Sequence, residues 1–459
     1  MTQDFDAIVI GAGQAGPSLA GRLTSAGMKV ALVERHLFGG TCVHTGCMPT
    51  KTLVASAYAA HLARRGAEYG IATEGPVRID MKRVRARADT VSTNARTGVE
   101  NWLRGMEGLT VIEGHARFEG ADMVRVGEQL LKAPRIFINV GGRANVAGIA
   151  GVDTVDYLTN TSILQLETVP KHLIVVGGSY IGLEFAQMYR RFGAEVTVVE
   201  MGPRLIGRED EDVSEAVREI LMEEGIAVRT DATCIELQPH RNGVAVRVDC
   251  TSGEPVVVGS HVLLAVGRRP NTDDLGLDRA GIAVDARGYI TVDETLATSA
   301  EGIWAVGDCN GRGAFTHTAY NDYEIFAANL LEGAARRVGD RIPAYALFVD
   351  PPLGRVGLSE TEARKAGRSL LVSKRPMTRV GRAIEKGETK GFMKVIADAD
   401  TKQILGAAFL GVNGDEAIHG ILDAMNAGTP YPVLQWAVPI HPTVSELIPT
   451  ILGDLRRTA

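Results

Sequence analysis

Cys42 and Cys47 are the only close cysteine pair in the chain. Two cysteines at this spacing can meet across one distorted helical turn and close a small disulfide ring. Such a ring reopens readily, which suits a redox carrier better than a structural staple. The thiolate is the reactive form, so the chemistry needs neighbours that stabilise negative sulfur. A zinc site would need two more cysteine or histidine ligands at sensible spacing, and only His44 is local. Cys234, Cys250 and Cys309 are scattered and read as small, partly buried side chains.

A redox pair needs an electron source, and two stretches of the chain have the pattern of nucleotide sites. The first runs from Ala7-Ile8-Val9-Ile10 through Gly11, Gly13 and Gly16 to Glu34. The second runs from Leu173-Ile174-Val175-Val176 through Gly177, Ile181 and Gly182 to Glu200. Both acids follow their first glycine at the same distance, and so do Gly27 and Gly193 in the helix-to-strand turns. Each unit reads strand, glycine turn, helix, strand, acid, which is the dinucleotide-binding βαβ fingerprint. The first glycine turns the chain, the second lets backbone approach a pyrophosphate, and the third lets helix and sheet pack closely. The helix N-terminus offers free N–H groups to phosphate, and the acid accepts from a ribose. Ser179 replaces the middle glycine of the second unit.

These units need a larger frame. The 459 residues suggest about three domains. A composition of 45% hydrophobic and 23% charged residues with 53 glycines is ordinary for an α/β protein. The net charge of −6 and the absence of a basic stripe argue against a nucleic-acid partner. No apolar run approaches the roughly 20 residues of a membrane span, and Met1 to Asp6 lack a basic signal-like start; a cytoplasmic protein is expected. Strands are expected within 109–146, 244–248, 256–266 and 392–397, and helices over 209–225 and 416–427. The part after Pro343 reads as a separate α+β domain.

The stretch Gly39-Gly40-Thr41-Cys42-Val43-His44-Thr45-Gly46-Cys47-Met48-Pro49-Thr50-Lys51 closely resembles the signature of the class I pyridine nucleotide-disulfide oxidoreductases, with His44 where Asn is usual. Asn139-Val140-Gly141-Gly142, Ala265-Val266-Gly267-Arg268, Ile303-Trp304-Ala305-Val306-Gly307-Asp308 and Ile440-His441-Pro442-Thr443-Val444-Ser445-Glu446 are similar to further family motifs, in family order. The resemblance implies an α/β fold with two Rossmann-like domains and a C-terminal dimerisation domain. The expected boundaries are 1–146 with 270–340 for FAD, 147–269 for NAD(P), and 341–459 for the interface. It assigns Gly11, Gly13, Gly16, Glu34, Gly40, Thr41, Lys51, Ala116, Gly307, Asp308 and Ala319 to FAD. Gly177, Tyr180, Ile181, Gly182, Glu184, Glu200 and Gly267 fall to the nicotinamide cofactor, with Tyr180 as a lid and Glu184 paired to Lys51. No metal site is expected.

The same resemblance implies a path for electrons from NAD(H), with NADP(H) as an alternative, through FAD to the Cys42–Cys47 disulfide. Cys47 would be the thiolate nearer the flavin and Cys42 the one that attacks substrate. His441, oriented by Glu446, would be the acid–base group and would come from the partner subunit of a homodimer. The expected acceptor is a small disulfide. A metal ion, a reactive-chlorine species, or a catalytically silent flavin-bound sensor are the alternatives.

Overall fold

A computed structural model describes residues 2–72, 74–249 and 253–457. The buried runs Ala-Ile-Val-Ile and Val-Ala-Leu-Val-Glu become central strands because apolar side chains on both faces suit a sheet covered on both sides. They join a parallel sheet of five strands, in the order Ile303–Ala305, Ile136–Ile138, Ala7–Ile10, Val30–Glu34 and Leu109–Glu113. A second parallel sheet repeats the plan with Ala227–Arg229, Glu195–Val199, His172–Val176 and His261–Leu264. Gly142–Ala144 and Arg268–Pro270 pair antiparallel where the chain leaves the first unit and returns.

The third unit is a six-stranded antiparallel sheet running from Ala344–Leu347 to Arg456–Arg457. The molecule therefore has two Rossmann-like α/β units and a C-terminal α+β domain. Two cations buried in the third sheet tie it to the second unit. Lys394 contacts Asp210, Asp212 and Glu360 at 2.8–3.2 Å. Arg355 lies 3.3 Å from Glu209, and both are almost wholly buried. Removing one partner of such a pair costs about 3–5 kcal/mol, so the N-terminal end of the helix Glu211–Glu223 is held to the third domain.

Three local expectations shift. The run 256–266 is two strands, Val256–Gly259 and His261–Leu264, in different sheets. Ser260 makes the break, exchanging hydrogen bonds with the backbone of His172. The helix expected over 416–427 begins at Gly414 and is divided at Ile418. The helix over 209–225 spans Glu211–Glu223. No helix among the described residues is long and apolar enough to cross a membrane. Cys250 lies outside the described residues.

Candidate active site

The cysteine segment folds as two helices, Gly40–His44 and Cys47–Arg64, joined through Thr45 and Gly46. This replaces the single distorted turn expected from the spacing. A Cβ on Gly46 would lie 2.8 Å from the Thr41 carbonyl, so a bare backbone is needed to bring the helices together. Cys47 is the first residue of an 18-residue helix, whose positive end favours a thiolate. Its acidity is raised first by a hydrogen bond from Cys42, then by the Thr316 hydroxyl 3.3 Å away and the Lys51 charge, which pull the thiol down to about 6. Cys42 moves the opposite way, pushed up by its hydrogen bond to Cys47, by burial and by the Cys47 charge. The helix start, the Thr316 hydroxyl and Lys51 all favour negative charge on Cys47.

His44 Nε2 lies 2.7 Å from the Phe38 carbonyl, and burial lowers its pKa below the ordinary value. It fastens the loop. Among the described residues, no group of three His, Cys, Asp or Glu side chains gathers to hold a metal.

The glycine positions behave alike in both units. A Cβ on Gly11 or Gly177 would lie 2.3 or 2.4 Å from a carbonyl of the neighbouring strand, and both have positive φ. A Cβ on Gly16 or Gly182 would lie 2.1 Å from the carbonyl of that first glycine. Both acids brace their own loops: Glu34 accepts from Ala12 N and His36 N, each at 2.8 Å, and Glu200 accepts from Gly178 N and Gly202 N at 2.6 and 2.7 Å. The helices Ala15–Ser25 and Tyr180–Phe192 carry no side-chain cap, so their first N–H groups other than Gly16 N, which donates to the Gly13 carbonyl at 3.0 Å, are open to a ligand. Ser179 is exposed in ordinary extended backbone, and it replaces the middle glycine without strain. Ile181 packs against the core, and Gly267 turns the chain into Arg268–Pro270 with φ +116°.

Around the first unit, Gly40 stands against Gly13 with Thr41 beside it at the start of the cysteine helix. Ala116 begins the strand after Gly114, whose N–H donates to the Glu34 carbonyl. Gly307, Asp308 and Ala319 meet at the start of the helix Thr316–Glu332. Burial raises the Asp308 pKa, opposed by Arg268 at 3.7 Å. Lys51 and Glu184 form an ion pair, and Glu184 also accepts from Phe348 N at 3.0 Å. Tyr180 stands one turn before Glu184 on the same helix face.

His441 Nδ1 lies 2.8 Å from Glu446 Oε2, and the imidazole is 80% exposed. Val433, Trp436, Val438 and Ile440 are exposed beside it, Val438 at 96%. Among the described residues, no contact joins this imidazole to the thiols of the same chain.

The profile of the pyridine nucleotide-disulphide oxidoreductases matches residues 5–322, and that of their dimerisation domain matches residues 343–451. The chain belongs to the pyridine nucleotide-disulphide oxidoreductase family. It is 35% identical over 451 residues to the probable pyridine nucleotide-disulfide oxidoreductase RclA of Escherichia coli K12, covering 96% of this chain and 97% of that protein. It is 34% identical to the dihydrolipoyl dehydrogenase of Thermus scotoductus, covering 96% and 95%. The solved structure of the HOCl-induced flavoprotein disulfide reductase RclA from Escherichia coli superposes with a TM-score of 0.89 at 35% identity, covering 98% and 99%. The chain is therefore a flavoprotein oxidoreductase of the disulfide reductase type, and its family binds FAD and NAD(P)H.

The residues present fit a dinucleotide: two bare-backbone cradles, two helix starts without a side-chain cap, and a half-buried carboxyl at Asp308. The sequence reading missed three supporting residues. Thr316 contacts Cys47 from 269 positions away. Asp322, almost wholly buried, accepts from Gly307 N at 2.8 Å and Asn310 Nδ2 at 3.0 Å, and pairs with Arg341. Asn160 donates to the Thr45 carbonyl at 2.8 Å. The only sequence signal was weak: Thr316 and Asp322 lie three residues either side of Ala319, which the resemblance assigns to FAD.

Proposed function

We propose that this chain reduces a small-molecule disulfide with electrons from NADH, using FAD and the Cys42–Cys47 pair. The observation that carries the reading is the placement of the Cys42–Cys47 pair, with Cys47 opening an 18-residue helix and its Sγ 3.3 Å from the Thr316 hydroxyl, beside the Lys51–Glu184 ion pair. Gly11, Gly13, Gly16, Glu34, Gly40, Thr41, Ala116, Gly307, Asp308 and Ala319 would hold FAD, with Lys51 beside it. Gly177, Tyr180, Ile181, Gly182, Glu184, Glu200 and Gly267 would hold NADH, with Tyr180 as the lid. When bound, these cofactors supply two electrons to the Cys42–Cys47 disulfide. The division into 1–146 with 270–340, 147–269 and 341–459 is part of this reading, supported by the antiparallel crossing near 142 and 268.

The residues then share the thiol chemistry. Cys42 gives its proton to His441 and attacks one sulfur of the substrate R–S–S–R′. A Cys42–S–S–R bond forms, and R′S⁻ leaves with the proton from His441. The Cys47 thiolate attacks Cys42 Sγ, the internal disulfide re-forms, and RS⁻ leaves to be protonated by solvent. Glu446 holds the imidazole tautomer throughout. Because His441 is exposed beside an apolar strip, the reading takes it from the partner subunit of a homodimer.

Subunit mixing tests this. Cys42→Ser and His441→Ala dimers are each expected to be inactive toward disulfide. After dissociation and re-association, mixed dimers are expected to recover one intact site. Mixed dimers confirmed by mass without activity would refute the shared site. A His441→Ala protein with near full activity would refute the acid–base role.

A further inference from the structure

An aromatic cluster joins the three domains beside Tyr180. Its ring meets Tyr345 edge-on, with centroids 5.4 Å apart at 81°, and Phe315 at 6.3 Å and 88°. Phe315 is stacked between Tyr345 at 5.7 Å and His317 at 5.4 Å. His317 Nε2 lies 2.7 Å from the Ala344 carbonyl. Phe315 directly precedes Thr316, which contacts Cys47. Tyr345 belongs to the C-terminal sheet, and its hydroxyl donates to Glu209. Glu209 is itself buried against Arg355, whose Nη1 donates to the carbonyls of Val356 and Ala407 at 2.9 Å. The hydroxyls of Tyr180 and Tyr345 lie close enough to perturb each other.

We propose that Tyr345 is a positioning residue for the nicotinamide site: its bond to buried Glu209 fixes the ring against which Tyr180 is set. This rests on the reading of Tyr180 as the nicotinamide lid. Physically, Tyr180 has one flexible side chain to order when the cofactor binds. Perpendicular contacts with two anchored rings favour one rotamer beforehand, and a group ordered in advance costs less on binding. Glu209 is a suitable anchor because a buried carboxylate with two partners has no alternative place to go. The effect acts on NADH binding and not on the thiol steps.

The test is a double-mutant cycle on the FAD-loaded dimer, with Tyr345→Phe, Tyr180→Ala and both together. Tyr345→Phe keeps the ring and removes the hydroxyl, and with it the bond to Glu209 and the contact with the Tyr180 hydroxyl. It is expected to raise KM for NADH by about tenfold, the scale of one hydrogen bond to a charged group, with kcat nearly unchanged. FAD content and reoxidation of the pre-reduced enzyme by disulfide should match wild type. In the Tyr180→Ala background, Tyr345→Phe should add no further rise. An unchanged or lowered KM in Tyr345→Phe would overturn the proposal, as would an equal rise with and without Tyr180. If Tyr180→Ala itself leaves NADH kinetics unchanged, the lid reading falls, and this inference with it; a Tyr180 effect without a Tyr345 effect overturns the inference alone.

Discussion

At the scale of single residues, the groups gathered around Cys47 favour negative charge on its sulfur. The hydrogen bond from Cys42, the Thr316 hydroxyl and Lys51 all favour the Cys47 thiolate. Cys47 should therefore be thiolate at neutral pH and become thiol as pH falls through about 6. Thr316→Val removes one donor and should move that midpoint up by about one pH unit. Alkylation of the reduced protein by iodoacetamide, mapped by peptide mass across pH, reads both values; equal midpoints in the two proteins would discount Thr316. Glu200 carries a second prediction. A carboxylate placed for ribose hydroxyls repels a 2′-phosphate, so kcat/KM should favour NADH over NADPH by about tenfold or more. Glu200→Gln should narrow that ratio, and a wild-type preference for NADPH would contradict the assignment. The cysteines, glycines and acids were legible in the sequence because each set falls within a short motif whose spacing marks it. Thr316 was not, because a threonine at a helix start is unremarkable until folding sets it against Cys47.

At the scale of elements, apolar runs announced the strands, and glycines announced the turns between them. What local pattern could not give was where a run changes allegiance. The residues 256–266 read as one strand, yet Ser260 spends its hydroxyl on His172 and sends the two halves to different sheets. The helix Thr316–Glu332 shows the same limit. Ala319 was named from its motif, but the role of Asp322 depends on a loop that packs above it. Asp322 accepts from Gly307 and Asn310 and pairs with Arg341. Asp322→Ala would strand these groups and an almost buried cation, and should cost about 3 kcal/mol. Chemical denaturation should show that loss, and gel filtration should show weaker retention of FAD. A variant with wild-type stability and full flavin would mean the loop holds itself.

At the scale of the whole molecule, the sequence pointed to three units but not to how they are fastened. The clamps at Lys394 and Arg355 join residues far apart in sequence, and charged residues in strands give no sign of burial beforehand. The apolar side chains Val433, Trp436, Val438 and Ile440 are exposed in a single chain. Exposed apolar side chains of this size mark an interaction surface, in keeping with the dimerisation domain. Val438→Glu should place a charge in that surface and leave the protein monomeric in analytical ultracentrifugation. Disulfide reduction should fall to background while each chain still retains FAD. A monomer with full activity would show that one chain holds a complete site.

The contact between Gly13 and Gly40 has a mechanical consequence. A Cβ on Gly40 would lie only 2.8 Å from the Gly13 Cα, so two stretches of backbone touch with no side chain as a cushion. On the proposed reading Gly13 lies in the loop that would hold the pyrophosphate, and Gly40 opens the helix that carries Cys42. Rigid parts in direct contact pass on displacement, so seating a nucleotide on one should be felt as strain or relief at the other. The midpoint potential of the Cys42–Cys47 couple should therefore differ between the flavin-free and flavin-loaded chains, making the cofactor a tuner of the sulfur pair as well as its supply.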